Sequence, residues 1–200
     1  NSSSGKQGAA LAEEALSRGA QVVFVDCNMS VPVPNGALRL QARTTNDLLA
    51  ALSEQIAGTD ILFMPVAVSD FSVVEVKHGK IRREENSSLN LELKQNPDII
   101  RQLKQLISTN NQKTVTIAFA AEAVTSFEEL TALASLKLEK KGVDMVVAND
   151  VSQGQIFGSY QTNIVIVDSS SATELSGSKK AVSKTIVDRA EKLLMELEVR

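Results

Sequence analysis

The chain opens with a loop of small residues that runs directly into a predicted helix. Residues 1–8 read Asn-Ser-Ser-Ser-Gly-Lys-Gln-Gly, a helical stretch follows as far as Gly19, and the apolar run 21–26 ends in Asp26. Loop, helix, glycine, apolar strand and terminal acid make up most of a nucleotide-binding βαβ unit. The loop therefore predicts an α/β fold, with phosphate bound by the free N–H groups at the helix start.

Two observations limit that prediction. The loop has no GxGxxG pattern, and Gly5-Lys6 is not followed by Ser or Thr as a P-loop requires. A plain serine N-cap is the alternative interpretation. The strand that should precede the loop is missing, and such a strand sits in the middle of its sheet. We therefore expect further residues upstream of Asn1 in the natural protein.

The composition favours one α/β domain over residues 1–200 and excludes several classes of protein. The chain is 43% hydrophobic and carries a net charge of −3, which argues against a nucleic-acid partner. It has one cysteine, Cys27, and one histidine, His78, which leaves no cysteine-based zinc site and disfavours a Ser-His-Asp triad. No apolar run approaches the roughly 20 residues that a membrane span needs, so we expect no membrane partner. The single cysteine, which excludes an internal disulfide framework, favours a cytoplasmic location.

Polar or aromatic groups follow each of the predicted buried strands. The apolar run 61–68 is followed by Asp70, the strand 114–118 by Phe119 and Glu122, and the strand 145–148 by Asn149 and Asp150. The carboxyl ends of parallel strands emerge at one edge of a sheet, which is where open α/β sheets bind ligands. A turn or cap role for Asp70 and a core role for Phe119 are the alternatives.

The remaining elements complete a Rossmann-like, mostly parallel sheet with helices on both faces. In the helix that begins near residue 96, Asn96 is predicted as N-cap, Pro97 as the first helical residue and Asp98 as part of the first turn. The other predicted elements are short strands at 38–41 and 163–168 and helices at about 45–57, 126–140 and 179–198.

Residues 72–95 interrupt the alternation of strands and helices. Their alternating apolar and polar residues and their polar turns predict antiparallel strands that project from the sheet. Such an arm is too polar to form its own core, and we expect it to pack on a second copy of the chain in a homodimer. Its Lys80, Arg82 and Arg83 form either a solvated face or an anion site.

Six blocks of the sequence resemble the bacterial phosphopantothenoylcysteine synthetase (phosphopantothenate–cysteine ligase) family. The blocks begin at Ser3, Ala67, Lys80, Asn96, Phe119 and Ala148, occur in the order of the family, and span nearly the whole chain. The family usually has Met at Gln7, Ala at Ser69, and Lys at Arg82 and Arg83.

The resemblance implies a ligase of coenzyme A biosynthesis that joins 4′-phosphopantothenate to L-cysteine with CTP and Mg²⁺. The substrate carboxylate attacks the α-phosphate to give an acyl-cytidylate and pyrophosphate, and the cysteine amine then displaces CMP. Lysines, magnesium and helix N-termini suit the charge of that reaction, and the substrate supplies the nucleophile. The resemblance also implies fusion to, or association with, a flavin-dependent phosphopantothenoylcysteine decarboxylase.

The resemblance assigns roles to individual residues as well. Asn1 would hold the acyl-cytidylate and Lys80 the reacting phosphate, as the catalytic pair. The residues expected to bind phosphates and nucleotide are Ser3, Ser4, Gly5, Lys6, Met64, Pro65, Val66, Asp70, Lys80, Pro97, Asp98, Ile99, Ile100, Phe119, Lys137 and Lys141. Ala67, Glu122, Asn149 and Asp150 are expected at the edge of the site.

Two other functions fit parts of the pattern. In a Rossmann oxidoreductase, Asp26 would bind the adenosine ribose of NAD(P). In a non-catalytic nucleotide-binding module, the same loop would bind a nucleotide without turnover.

Overall fold

The computed structural model describes residues 3–76, 79, 88, 90–152 and 161–199. The helices in these ranges are α1 (Lys6–Ser17), α2 (Thr45–Gln55), α3 (Ile99–Thr109), α4 (Phe127–Lys141) and α5 (Lys179–Val199). The strands are β1 (Val23–Asp26), β2 (Leu38–Gln41), β3 (Ile61–Met64), β4 (Phe71–Val73), β5 (Leu93–Gln95), β6 (Val115–Glu122), β7 (Met145–Asp150), β8 (Gln161–Asp168) and β9 (Ala172–Ser178).

The central sheet has five strands in the order β3-β6-β7-β8-β9. Strands β3, β6 and β7 are parallel, whereas β8 runs antiparallel to β7 and β9 antiparallel to β8. Strands β1 and β2 form a separate two-stranded parallel sheet. The expected α/β architecture is confirmed, with an antiparallel addition in β9 that the sequence did not predict.

Alternate residues of the sheet face two different layers of helices. Ile117, Met145 and Val147 pack with α1 and α5, whereas Ala118, Val146 and other residues of opposite parity pack with α4. This alternation is the period of two that a strand imposes. The helices therefore cover both faces, as expected, and the sheet is buried between them.

The C-terminal helix α5 supplies much of one face of the core. Its residues Val182, Ile186, Val187 and Ala190 are buried, and they recur at helical spacing along one side. Helices α2 and α3 cover β3, where Leu62 and other residues of β3 pack with them. The helix predicted at about residues 179–198 is confirmed, since α5 runs from Lys179 to Val199.

Several predicted boundaries were wrong by a few residues. Strand β3 ends at Met64 because Pro65 lacks the N–H that a strand ladder needs, so the predicted strand 61–68 is too long. Helix α2 ends at Gln55, two residues before the predicted end at about residue 57. Its start agrees with the prediction, and Thr44 caps it, since the Thr44 side chain accepts a hydrogen bond from the Asp47 N–H in a capping box. Helix α3 begins at Ile99 with Asp98 as its N-cap, so the prediction of Asn96 as cap was wrong.

The base of the predicted arm is antiparallel, as expected. Strands β4 and β5 pair from Phe71 opposite Gln95 to Val73 opposite Leu93. Phe71, Val76, Leu91 and Leu93 are more than half exposed. The inner part of the arm lies outside the described residues.

In the described part of the chain, no helix combines the length and the apolar character needed to cross a membrane.

Candidate functional site

The loop before α1 leaves the start of that helix without a side-chain cap. The N-cap is Gly5, in the left-handed conformation with φ 76°, and no side chain bonds the helix start as a cap does. The hydroxyl oxygens of Ser3 and Ser4 accept only long hydrogen bonds, each of 3.4 Å, from the N–H groups of Gly5 and Lys6. The N-cap is therefore Gly5 rather than a serine, and the start of α1 stays a candidate for anion binding.

The loop after β1 fixes the position of this helix start. Ser30 donates from its backbone N–H and its hydroxyl to the Ser4 carbonyl oxygen, at 3.3 and 3.1 Å. A Cβ at Gly5 would come within 2.5 Å of the Met29 sulfur, so the site needs glycine for space as well as for its positive φ. The loop is therefore held by the chain that surrounds it.

The first turn of α1 lies beside the end of β3. A Cβ at Gly8 would be 3.4 Å from the Pro65 ring and 3.6 Å from the Phe24 ring. Met64 is buried, Pro65 and Val66 are half-buried, and Ala67 is exposed. The structure thus brings together the Ser3–Lys6 loop and the segment after β3, two parts of the predicted site.

Asn96 joins the base of the arm to the segment before α3. Its side-chain amide donates to the Ser69 carbonyl oxygen and its backbone N–H to the Asp70 carbonyl oxygen, both at 2.8 Å. This role was missed because Asn before Pro is also the pattern of a helix cap. The predicted position of Asp70 at the end of β3 was wrong, since it directly precedes β4 instead.

Asp98 connects the start of α3 to the end of α4. Its carboxylate accepts a hydrogen bond from the Arg101 N–H at 3.2 Å and forms a 2.6 Å ion pair with Lys141. Burial alone would raise the pKa of Asp98, but the Lys141 ammonium and the Arg101 N–H outweigh it and lower that pKa. Pro97 precedes the cap, Ile99 is buried and Ile100 is half-buried, so this predicted segment lies at the helix start as expected, with Asp98 as its cap.

Lys137 extends from α4 to the end of the sheet. Its ammonium donates a 2.9 Å hydrogen bond to the carbonyl oxygen of Phe119, and its side chain is half-buried. Burial lowers the pKa of Lys137; Glu122 opposes this, Lys141 adds to it, and Asp70 also opposes it. Lys137 thus lies within the electrostatic reach of the predicted edge residues.

The predicted edge residues lie inside the strands rather than after them. Phe119 and Glu122 belong to β6, and Asn149 and Asp150 belong to β7, with Glu122 opposite Asp150. Phe119 is half-buried and packs against the core, which agrees with the alternative of a core role.

Asp150 has a local structural role at the end of β7. Its carboxylate accepts hydrogen bonds from the Ser152 N–H at 2.8 Å and the Ser152 hydroxyl at 3.0 Å. These two bonds lower the pKa of Asp150. The residue therefore shapes the chain that leaves the edge of the sheet.

Asp26, the acid of the oxidoreductase alternative, is already bound within the protein. One carboxylate oxygen accepts a 3.1 Å hydrogen bond from the Met29 N–H, and the other pairs with Arg39 at 2.5 Å. Burial raises the pKa of Asp26, but these contacts outweigh it and lower that pKa. The buried carboxylate stabilises the loop after β1, which disfavours a ribose-binding role.

The neighbour of Asp26, Cys27, is half-buried, and burial raises the pKa of its thiol, so the cysteine is not an activated nucleophile.

The predicted catalytic residues, a metal site and one residue that the sequence did not single out remain to be placed. Asn1 and Lys80, the predicted catalytic residues, lie outside the described residues. Within the described ranges, no group of three or more His, Cys, Asp or Glu side chains could hold a metal ion. Lys179 was interpreted only as a helix residue, yet it is half-buried at the start of α5, where burial and the charge of Lys6 lower its pKa. No local sequence signal marks it, because its proximity to Lys6 arises from the packing of α1 on α5.

The fold and this edge define a class of α/β domain in which a helix N-terminus and charged side chains surround the ends of parallel strands. A family model described as "DNA/pantothenate metabolism flavoprotein C-terminal domain" matches residues 1–194, and the chain belongs to that family. The resemblance found in the sequence motifs is thereby confirmed.

The relatives of this chain are proteins of coenzyme A biosynthesis. The chain is 35% identical over 199 residues to the "Coenzyme A biosynthesis bifunctional protein CoaBC" of Thermococcus kodakarensis, covering 97% of this chain and 46% of that protein. It is 31% identical over 197 residues to the CoaBC of Haemophilus influenzae, covering 98% and 46%. The chain thus spans about half the length of these relatives.

Solved structures share the same fold. The crystal structure of the C-terminal domain of CoaBC matches all of this chain and 86% of its own, with a TM-score of 0.76 and 26% identity. A Cab2 variant in complex with phosphopantothenate-cysteine matches 99% of this chain and 81% of its own, with a TM-score of 0.74. At 17% identity, the Cab2 likeness concerns the fold alone.

Proposed function

We propose that this chain forms the amide between 4′-phosphopantothenate and L-cysteine with CTP as the activating nucleotide. The observation that carries the proposal is the 2.9 Å hydrogen bond from the half-buried Lys137 ammonium to the Phe119 carbonyl oxygen, which keeps a cation beside the predicted edge residues although burial disfavours its charge. A charge kept in such a place is typical of a functional site. Family membership and the names of the relatives support the same reaction.

The described residues suit the first step, in which the substrate carboxylate attacks the α-phosphate and pyrophosphate leaves. Negative charge develops on the phosphoryl oxygens, and preorganised donors in a partly dry site stabilise it. Lys137 and Lys141 supply cations from α4, and the start of α1 supplies the positive end of a helix dipole. Lys80 and Asn1 are proposed to complete this set, from the resemblance alone.

The second step is amide formation. The cysteine amine attacks the acyl carbon, the acyl–phosphate bond breaks, CMP leaves with the bonding electron pair, and the amine loses a proton. No protein nucleophile is needed in either step, which agrees with a chain that has one cysteine and one histidine.

Mg²⁺ is part of the proposal as a companion of the nucleotide. The described residues lack a cluster of acidic or imidazole ligands, so they do not fit a protein-held ion. Magnesium is commonly bound by substrate phosphates with one or two carboxylates. We therefore assign it to the triphosphate and derive no step through it.

The partners of the domain are also proposals. The exposed apolar residues Phe71, Val76, Leu91 and Leu93 at the base of the arm support a homodimer, since a two-stranded arm cannot bury them alone. Light scattering at micromolar concentration should give the mass of a dimer, and a monomer would contradict this proposal.

The bifunctional relatives support a flavin-dependent decarboxylase as the second activity of the natural protein.

The deciding experiment measures pyrophosphate release and amide product with CTP, 4′-phosphopantothenate and cysteine. We expect both signals to require all three substrates, and ATP to be a much poorer nucleotide, because a buried base-reading site leaves groups unpaired with the wrong base. Equal turnover with ATP would contradict the CTP preference. CTP binding without product would favour the non-catalytic module, and NAD(P) binding would favour the oxidoreductase.

A further inference from the structure

Helices α1 and α5 are joined by polar contacts at both ends of their interface. At the end of α1, Arg18 donates to Glu14 and to Glu191, each at 2.7 Å. At the start of α1, the Gln7 side-chain N–H donates a 2.9 Å hydrogen bond to the Ser183 hydroxyl oxygen. The first contact is charged and partly exposed, whereas the second is uncharged and reaches the buried face of α5.

The Gln7–Ser183 contact lies beside core positions of both helices. Ser183 is 0% exposed, and Leu11 and Ile186, about one helical turn after Gln7 and Ser183 along their helices, belong to the core. An amide and a hydroxyl are costly to bury unless they bond each other, so this pair is strongest in one relative position of the two helices. An apolar pair could fill the same space without fixing that position.

The pair lies next to the candidate phosphate loop Ser3–Lys6. Gln7 is the second residue of α1, directly after Lys6, and Lys179 lies four residues before Ser183, on the same side of α5. Burial is the larger cause of the lowered pKa of Lys179, and the charge of Lys6 lowers it further, so the two ammonium groups repel each other across the two helix starts. The positive ends of the helix dipoles add to that repulsion. The hydrogen bond opposes a separation of the two helix starts.

We propose that Gln7 is a positioning residue, which through Ser183 fixes the first turn of α1 and thereby the site of phosphate contact at Ser3–Lys6. The inference rests on the proposed function of that loop. It makes α5, which is remote in sequence, part of the active-site framework. The family resemblance has Met at this position, so the polar contact would be a feature of this chain.

The test compares Gln7→Met, Ser183→Ala and the double variant in the full-length protein. Each single variant should lower kcat/KM about tenfold, because small displacements of bound groups have large kinetic effects. The loss should appear in KM for CTP or 4′-phosphopantothenate and leave KM for cysteine, which has no phosphate, unchanged. The double variant should recover to within about threefold, since an apolar pair replaces the polar one.

Arg18→Gln is the matched control, since it breaks the contact at the other end of the same interface. It should lower thermal stability and leave every KM unchanged. Single variants with normal KM, or a double variant without recovery, would overturn the inference. Ser183→Ala removes only a hydroxyl, and it decides the question if Gln7→Met fails to fold.

Failure of the proposed function gives a different result. The wild-type protein would then form no amide. Inorganic pyrophosphate would serve as the probe, and its binding would be measured from the NMR signals of the Gly5 and Gly8 backbone amides. Weaker pyrophosphate binding in Gln7→Met than in Arg18→Gln would support the positioning role. Equal binding in the two variants would overturn it.

Discussion

Charged side chains lie at both ends of the parallel strands of the central sheet, but in different electrostatic states. Here an edge of the sheet means one of these two ends. At the edge where β7 begins, Asp168 lies opposite Met145 and pairs with Arg189 at 2.5 Å, with its side chain 1% exposed. At the edge where β6 ends, Lys137 donates to the carbonyl oxygen of Phe119. One edge contains a carboxylate matched by a cation, and the other an ammonium bonded to a neutral group.

The pKa values show what this difference means. Burial raises the pKa of Asp168, but Arg189 and Ser170 outweigh it and lower the pKa from its usual 3.8 to about 2. For Lys137, burial is the largest influence and lowers the pKa, so the charged form is disfavoured. The first charge stabilises the fold, and the second is kept in surroundings that disfavour it, a feature that is frequent at functional sites.

The largest expected effect tests the edge where β6 and β7 begin, which we call the structural edge because its charges stabilise the fold. Arg189→Met should destabilise the protein by about 3 kcal/mol, because removing one partner leaves the buried Asp168 carboxylate unpaired. The native pKa of Asp168 is lowered, so the wild-type advantage is complete above about pH 4 and is lost as the pH falls towards 2. Urea unfolding of both proteins between pH 7 and pH 2 measures this.

The control for that prediction is the double variant Asp168→Asn with Arg189→Met. It should be less destabilised than Arg189→Met alone, because no unpaired charge remains. KM for CTP should stay normal in both, since this edge is opposite the candidate site. A loss of nucleotide binding in Arg189→Met without a loss of stability would contradict the separation of the two edges.

Elements with strong periodicity could be predicted from the sequence. The buried residues Val182 and Ile186 of α5 and the apolar residues of β6 and β7 follow directly from helical and strand spacing. The end of α4 was also predicted closely, because Gly142, with φ 60°, follows its last lysines. Local chemistry decides such features, so local sequence reveals them.

Features that depend on distant residues could not be predicted. Strand β9 has few apolar residues and lies at the sheet edge, where its partner β8 determines its conformation. Asn96 follows the sequence pattern of a cap, but the base of the arm, 26 and 27 residues earlier, provides better acceptors. The pairing of Gln7 with Ser183 joins positions 176 residues apart. The six motif blocks identified the candidate site, but not these contacts.

The second prediction tests the other edge. Lys137→Met should lower kcat/KM with CTP about thirtyfold, or roughly 2 kcal/mol, because an ammonium directed at phosphate charge is lost. Stability should be unchanged, since the charged form of Lys137 is already disfavoured where it lies. Steady-state kinetics and thermal unfolding of the same preparation measure the two effects.

Lys104→Met is the matched control at the structural edge. Lys104 lies 3.6 Å from Asp144 and is about as exposed as Lys141, but it is on the side where β6 and β7 begin. It should keep full activity. Activity should fall as the pH rises and Lys137 loses its proton, and burial lowers the pKa of Lys137. The fall should therefore come at a lower pH in the wild type than in Lys137→Arg, since arginine keeps its charge. Equal losses in Lys104→Met and Lys137→Met would contradict a role specific to one edge.

The smallest effect is expected at Lys141, although it lies one helical turn from Lys137 on the same helix. Its side chain is 28% exposed and it is already paired with Asp98, so its charge is screened by solvent and partly cancelled by the carboxylate. Lys141→Gln should therefore raise KM for CTP only about threefold and change stability by less than about 1 kcal/mol. The Arg101 N–H still bonds Asp98, so the cap of α3 remains. Steady-state kinetics with CTP measure the change, and a loss as large as that of Lys137→Met would mean that Lys141 leaves Asp98 to bind the triphosphate as an equal partner.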